Sequence, residues 1–482
     1  MIVRFKCHHR RRHMLLFAVM WCTAVGVISG DAQADEIQLE EALERAREYA
    51  PLLQEMQAGE DFATARQSRA DRARWPRLTT ESLIAPVPAD ADPTRLDENI
   101  DEITSFNLGP YFRQTARVVI PIYTFGRIST AQELAQLGVD VAELETTEAM
   151  HEHLLRTRQA YYGRQLSRAF AEVLDDGVDL VKDTLEEMEE DRAFGEADFS
   201  TDDLRRLQVF DAELDAMMLD NRRLSDLTEA ALAYLTDMER PIDVPPLDPE
   251  TVDESLADLA TYQHIARRHR PEIQQLEQGV EARRLEERLA QREFYPNLFI
   301  AADFGFGWST ESPALQPICR RLDPDEPCVE DETLFARPYS NPFDTLSFGV
   351  AAGLRWEFDF GQRRGRLQES RAQRTRIEAQ RERALGGLEL EIEQAWREAY
   401  DARERMDIEQ RRFEIARRWR NQYGLQAELG REDQDMRDLI DPLSEFYDAR
   451  VSYLEATHNY LVARAELAQK VGVEDLSEAD DL

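Results

Sequence analysis

Two acidic clusters are the residues of this 482-residue chain most able to do chemistry. Each follows a glycine: Glu196, Asp198, Asp202 and Asp203 come after Gly195, and Glu432, Asp433, Asp435, Asp438 and Asp441 after Gly430. Carboxylates held close together attract cations and raise one another's pKa by like-charge repulsion. In Asp438-Leu-Ile-Asp441 the acids are three residues apart, so on a helix they share a face. A bland reading fits the same residues: acids at a helix start complement its dipole, and Asp441 before Pro442 suits an N-cap ahead of a first-turn proline. Gly195 and Gly430 suit helix C-caps better than ligand contacts.

Other constellations carry less. With 4 cysteines and 8 histidines the chain is too poor in ligands for a metal framework. His151 and His153 cannot both face one ion from a helix, and Gly305-Phe-Gly307 falls in a strand pattern rather than at a phosphate-cradling helix start. No nucleophile–base set stands out, so neither an enzyme nor a bound cofactor or metal is expected. Cys319 and Cys328 lie in a segment that also holds Pro313, Pro317, Pro324, Pro327, Pro338 and Pro342. An oxidising compartment favours a disulfide closing that loop, with two separate thiols as the alternative.

The formal net charge of −37 disfavours nucleic acid as a partner. At 42% apolar and 32% charged residues, the chain is too apolar for a disordered acidic tail and too polar for a bundle of membrane-spanning helices. Arg4, Lys6, Arg10, Arg11 and Arg12 precede the apolar run Met14 to Ile28 and then Ala32-Gln33-Ala34, which reads as a signal peptide, residues 1–34. An N-terminal anchor is the alternative, but the run is shorter than the roughly 20 residues a spanning helix needs. Trp21 before Cys22 argues against lipidation.

The elements that position these residues are written twice. An offset of 220 places Leu39 on Leu259, Ala46 on Ala266, Pro51 on Pro271, Gly59 on Gly279, Trp75 on Tyr295, Pro76 on Pro296 and Leu78 on Leu298. Beyond the strands the offset becomes 235: Phe125-Gly126 falls on Phe360-Gly361, Gln159-Ala160 on Gln394-Ala395, Gly195 on Gly430 and Asp203-Leu204 on Asp438-Leu439. The added length falls in the proline- and cysteine-bearing loop, which absorbs insertions cheaply. No proline occurs between Pro121 and Pro241 or between Pro342 and Pro442. Both stretches are rich in helix formers and predict long helices, each reaching about 100 Å at 1.5 Å per residue. Such helices must pack laterally, as antiparallel coiled-coil-like pairs.

Between Pro76 and Gly126, and between Pro296 and Gly361, the period changes to two. Leu298, Ile300, Ala302, Phe304, Phe306 and Trp308 oppose Phe299, Ala301, Asp303, Gly305 and Gly307, and Leu346, Phe348, Val350, Ala352, Leu354 and Trp356 form the matching face of a hairpin partner. Phe112, Gln114, Ala116, Val118 and Ile120 alternate with Arg113, Thr115 and Arg117, while the strand from Leu78 to Ala85 is weaker. About ten residues is the length of a tilted strand crossing a bilayer, and one face is apolar. Trp75, Phe125, Tyr295 and Phe360 mark one membrane interface and Trp308 the other. Four strands cannot close a transmembrane barrel, so the barrel must be shared between chains.

The divisions are therefore residues 35–238 for the first repeat (helix 36–74, strands 77–87 and 111–121, long helix 126–194, helix 201–238), a proline-rich linker 239–251, residues 252–473 for the second repeat (helix 252–292, strands 297–308 and 345–358, long helix 361–429, helix 436–471), and an acidic tail 474–482. The class is mainly α with a transmembrane β-barrel contribution. The linker reads as a plain connector, and the arginine-rich run from Arg363 to Arg383, interspersed with Glu369, Glu378 and Glu382, as a solvated or salt-bridged helix face.

The doubled openings Ala46-x4-Pro51 and Ala266-x4-Pro271, the paired Pro76-x-Leu78 and Pro296-x-Leu298, and the strand exits Pro121-Ile-Tyr-Thr-Phe-Gly126 and Trp356-Glu-Phe-Asp-Phe-Gly361 together resemble the TolC-like outer-membrane efflux proteins. The resemblance covers nearly the whole chain after residue 34. It implies a homotrimer with one 12-stranded barrel in outer-membrane lipid, a periplasmic tunnel of twelve helices, and partnership with a periplasmic adaptor and an inner-membrane efflux or ABC transporter, in tripartite efflux or type I secretion. It also implies that Asp438 and Asp441 ring the periplasmic entrance as a gate. The adaptor then meets the tips that carry Gly195, Leu204, Gly430 and Leu439, although both leucines read equally as helix core. Ala427 stands where the family resemblance leads one to expect a latch tyrosine. The competing function class is a periplasmic coiled-coil structural or adhesion protein without a pore.

Overall fold

In the computed structural model the long helices expected over 126–194 and 361–429 are each a single helix, Arg127–Phe194 and Gln362–Glu428. The structure describes residues 36–88, 108–194, 199–252, 255–309, 319–320, 329–330, 344–428 and 437–477. Residues 1–34, expected from the sequence to be a signal peptide, lie outside them. In the first copy α1 (Leu39–Arg47) and α2 (Ala50–Asp71) lead through a 3-10 turn into β1 (Arg77–Pro88) and β2 (Leu108–Tyr123), followed by α3 (Arg127–Phe194) and α4 (Thr201–Thr236). The second copy repeats the order with α5 (Leu259–His269), α6 (Pro271–Arg292), β3 (Asn297–Ser309), the two-residue pair β4 (Cys319–Arg320) and β5 (Val329–Glu330), β6 (Thr345–Arg355), α7 (Gln362–Glu428) and α8 (Arg437–Val471). At 68 and 67 residues, α3 and α7 each run about 100 Å.

The helix expected over 36–74 is broken into α1 and α2, and the one expected over 252–292 is α5 and α6, with residues 252 and 255–258 outside any α-helix. The prolines explain both breaks. Pro51 and Pro271 occupy the first turn of α2 and α6, where a missing N–H costs no helical bond; the N-cap residues Tyr49 and Arg270 leave the helical region, with ψ of 103° and 119°. Helix α5 starts late because Asp258 caps it. Its carboxylate accepts from Thr261, and these bonds hold the Asp258 pKa below the usual carboxylate range.

The helices pair antiparallel, α3 with α4 and α7 with α8, while α2 and α6 lie along the strand-proximal halves of the long helices. Leu166, Phe170, Leu174 and Val181 of α3 bury against Leu207, Phe210 and Leu214 of α4 and Tyr447 and Leu454 of α8. The α3–α8 approach is close at Gly177, where a Cβ would stand 3.2 Å from the Tyr447 ring. A second core joins Tyr262 and Ile265 of α5 to Ile392 and Ala399 of α7 and Leu467 of α8. The linker is more than a connector: Ile242 and Val244 are buried with Leu232, Leu235 and Tyr161, and the Arg164 guanidinium donates to the Ile242 carbonyl at 3.2 Å.

All four long strands form one antiparallel sheet in the order β1-β2-β3-β6, so the two hairpins join through β2 and β3 and leave β1 and β6 as open edges.

Candidate functional site

The sheet has two chemically different faces, and its register assigns every residue. Leu78, Val118, Ala302 and Val350 stand side by side across the four strands, as do Ile84, Phe112 and Trp308, and Phe304 beside Phe348. Leu78, Ile84, Phe304, Phe306, Trp308, Leu346, Phe348 and Val350 are all exposed on this face. Thr80, Ser82 and Gln114 interrupt this face on β1 and β2, where the Ser82 hydroxyl donates to Gln114, but on β3 and β6 it is unbroken. Water gives no reason to expose an apolar surface of that extent; hydrocarbon does. The opposite face places Thr79, Arg117, Asp303 and Gly349 in one row, with Glu81, Thr115, Gly305 and Ser347 in the next. Arg117 and Asp303 form an ion pair there. An inner wall of this kind suits a watery lumen.

The strands meet the helices at two Phe-Gly turns. Phe125 and Phe360 hold φ of 50° and 43°, left-handed values costly for a residue with a Cβ, and Gly126 and Gly361 follow at 82° and 147°. At the first turn Arg292, on α6, donates to the Gly126 carbonyl and to the hydroxyl of Thr130, which is 0% exposed. Tyr295 stacks on Phe125 with ring centres 5.5 Å apart. At the second turn the buried Arg363 donates to the Glu293 carbonyl at 2.6 Å and pairs with Glu357 at 3.4 Å and Asp359 at 3.5 Å, while Arg366 pairs with Glu293 at 2.9 Å. Along α6 and α7 the buried Glu287 takes Arg371 at 3.1 Å and Arg374 at 3.0 Å, so part of the arginine-rich run is a salt-bridge zone between helices.

At the far end, α4 begins with a capping box in which Ser200 and Asp203 bond reciprocally. Asp203 is thereby a buried structural acid. Leu204, 4% exposed, packs in the α3–α4 core, the helix-core alternative of the two read from its sequence position. Helix α8 starts at Arg437 with Pro442 inside it, so Asp441 is not the N-cap that its place before proline suggested. Asp438 and Leu439 lie in the first turn of α8, and the exposed Asp441 carboxylate stands 3.7 Å from Arg206 on α4. Gly195, Gly430 and Cys328 lie outside the described residues, and Cys319 opens β4. His153 is buried and bonds the Leu235 carbonyl at 3.0 Å, a structural histidine whose pKa burial lowers. Among the described residues, no cluster of His, Cys, Asp or Glu could hold a metal ion, and no helix is long and apolar enough to cross a membrane. Of the junction arginines, Arg292 was missed by sequence reasoning, and Arg363 was read only as the first residue of a solvated or salt-bridged run. The one available signal was that Arg292 falls on Arg72 at the offset of 220.

A doubled helix–strand–strand–helix–helix unit with long antiparallel helices and a single two-faced antiparallel sheet defines the TolC-like fold. Residues 263–473 match the outer membrane efflux protein family. The fold extends the likeness over nearly the whole chain and bears out the resemblance read from the sequence. A solved structure of CusC, described in terms of folding and transmembrane channel formation, superposes with a TM-score of 0.69 at 12% identity over 91% of this chain and 93% of the other. The Campylobacter jejuni CmeC outer membrane channel gives 0.67 at 13% identity over 92% and 88%. The Neisseria gonorrhoeae MtrE outer membrane channel in its open state gives 0.67 at 14% over 90% and 89%. No curated protein matches the sequence.

Proposed function

We propose that three copies of this chain close a 12-stranded barrel in the outer membrane and continue it as a periplasmic helical tunnel, a passive exit duct. One observation carries the reading: a sheet with an exposed apolar face and two unpaired edges, β1 and β6. Open edges in lipid leave backbone groups without partners, and four strands are too few to roll up alone, so joining β6 of one copy to β1 of the next removes every edge. A pore-less periplasmic scaffold gives no use to the exposed Phe304, Phe348 and Trp308. The duct has no energy source of its own, so the tunnel serves a periplasmic adaptor and an inner-membrane transporter, in efflux or type I secretion. The tips that carry Gly195, Leu204, Gly430 and Leu439 face the adaptor. Leu204 contributes there by fixing α4 against α3 rather than by reaching outward.

At those tips three copies of Asp438 and Asp441 form a cation-attracting constriction around the axis, and Arg206 beside Asp441 tethers α8 to α4. Cys319 and Cys328 close the long β3–β6 loop as a disulfide. Fractionation with the outer membrane, a heat-modifiable trimer and single-channel conductance in a planar bilayer test the reading. A detergent-independent monomer with no conductance refutes it.

A further inference from the structure

The two copies of the repeat are joined inside one chain by a clamp whose counterpart is missing. Helix α6 of the second copy packs on α3 of the first. There Tyr295 stacks on Phe125, and Arg292 donates to the Gly126 carbonyl. Lower down, the Gln275 amide donates to Glu148 at 2.7 Å. The offsets of 220 and 235 convert each partner into its repeat equivalent. Tyr295 becomes Trp75, Phe125 becomes Phe360, Arg292 becomes Arg72, Gly126 becomes Gly361, Gln275 becomes Glu55 and Glu148 becomes Arg383.

The offsets hold at the level of single contacts. Gln67 of α2 bonds Gln136 of α3, and the converted pair, Glu287 of α6 and Arg371 of α7, is an ion pair in the same place. The six converted clamp residues are chemically matched, an indole to a phenyl ring, a guanidinium to a carbonyl at a left-handed turn, and a carboxylate to a guanidinium. Within one chain they do not meet. Trp75 is 66% exposed and Phe360 fully exposed. Nothing stands within 4 Å of a Cβ placed on Gly361, whereas the same atom on Gly126 would strike Arg292. Among the described residues Arg72, Glu55 and Arg383 make no ion pair, and the Arg72 guanidinium lies over its own neighbour Trp75 at 5.9 Å.

We propose that this half-clamp is the docking surface for a second copy of the chain: Trp75, Arg72 and Glu55 of α2 and its exit seat on Phe360, Gly361 and Arg383 of the partner subunit. The topology permits it. β2 and β3 pair antiparallel between the repeats inside a chain, and β6 beside β1 of the next copy repeats that pairing, which brings the α2 end to the α7 start. A closed ring then contains six junctions of one design, three covalently tethered and three formed by assembly. This rests on the trimeric reading above and specifies its interface.

The test is cysteine cross-linking of the full chain in detergent and in lipid, with Cys319 and Cys328 replaced by serine. A short bismaleimide should join the Trp75→Cys/Phe360→Cys double variant into two- and three-chain species. Each single variant should stay at one chain. The Phe125→Cys/Tyr295→Cys variant, bridged inside one chain, verifies the chemistry and should shift mobility without adding chains. As a second measure, Glu55→Arg and Arg383→Glu should each weaken the trimer against urea, and their combination should restore it. A trimer by mass in which the Trp75/Phe360 pair yields only single-chain species overturns the docking surface and leaves the trimer standing. A monomer by mass overturns both.

Discussion

Placing a lysine at position 350 or at position 351 separates the two faces of the sheet by one residue. Val350 is the middle residue of β6, 63% exposed, and its register partner is Ala302 on the apolar face. Ala351 pairs with Ala301 on the face of Arg117 and Asp303. Side chains of a strand alternate, so Val350→Lys directs an ammonium into hydrocarbon near the bilayer midplane, and Ala351→Lys directs it into the lumen. The cost of lysine at the midplane of a membrane barrel is about 2–4 kcal/mol, or roughly 30- to 1,000-fold in the folding equilibrium of each chain. With three independent copies the assembled barrel loses about 6–12 kcal/mol. That approaches the whole stability of an ordinary domain. The assay is urea-dependent refolding into lipid vesicles, read as the heat-modifiable trimer band, beside the trimer recovered in the outer-membrane fraction. Val350→Lys should abolish or strongly deplete the band, and Ala351→Lys should leave it near the wild-type level. If both variants assemble alike, or the order is reversed, the sheet does not face lipid with the side assigned here.

Three further outcomes follow from the same geometry. Arg292→Met removes the donor to the Gly126 carbonyl and to the buried Thr130 hydroxyl, and charge-assisted bonds are worth about 1.5–3 kcal/mol each, so heat dissociation of the trimer should move to clearly lower temperature; an unchanged value would remove the junction from the stability account. Asp438→Asn with Asp441→Asn should lower cation selectivity and divalent block in planar bilayers, and an identical single-channel record would discard the gate. Burial holds the His153 pKa below its ordinary value, so the folded state prefers the neutral ring: its contribution is complete above the unfolded pKa of about 6.5 and is lost as pH falls toward the lowered folded value. His153→Gln, which keeps a donor for the Leu235 carbonyl, should flatten the loss of stability on acidification in urea titrations, and a slope equal to wild type would show that other groups carry it.

What the sequence made legible was what is periodic. The repeat offsets, the proline-free helices and the alternation around Phe304 and Val350 are local patterns, and the sheet order joins them as the two faces require. What it hid depends on partners distant in the chain. Pro442 reads as a helix start, but α8 begins at Arg437 because Leu443, Tyr447 and Leu454 bury against α3 and α4 and hold the helix through the proline. Leu204 beside a run of acids looks available, yet the same packing turns it inward. The linker around Ile242 can pass for a tether in sequence, but the Arg164 bond to its backbone and the burial of Ile242 and Val244 against Tyr161 show that it is clamped to α3. The junction role of Arg292 and Arg363 was hidden because each also donates to a main-chain carbonyl, of Gly126 and of Glu293, and no residue pattern marks a carbonyl in need of a donor.

The duplication also sets unequal demands on its two kinds of junction. Inside a chain, Arg292 and Tyr295 are delivered to Gly126 and Phe125 by a covalent connection, so the clamp forms as part of folding. Between chains the equivalent contact must also offset the lost translational and rotational freedom of a subunit, a cost of several kcal/mol. The residues differ in the required direction. Trp75 replaces Tyr295 with a larger ring, and Glu55 with Arg383 replaces an amide–carboxylate pair by two opposite charges. The single chain cannot lower its own free energy by burying Phe360, Trp75 or the β1 and β6 edges, and neither water nor lipid satisfies all three. In the proposed trimer assembly and insertion are therefore coupled: the sheet reaches a tolerable state in the bilayer only when its edges are closed, and the proposed docking surface closes them where the α2 end meets the α7 start of another copy.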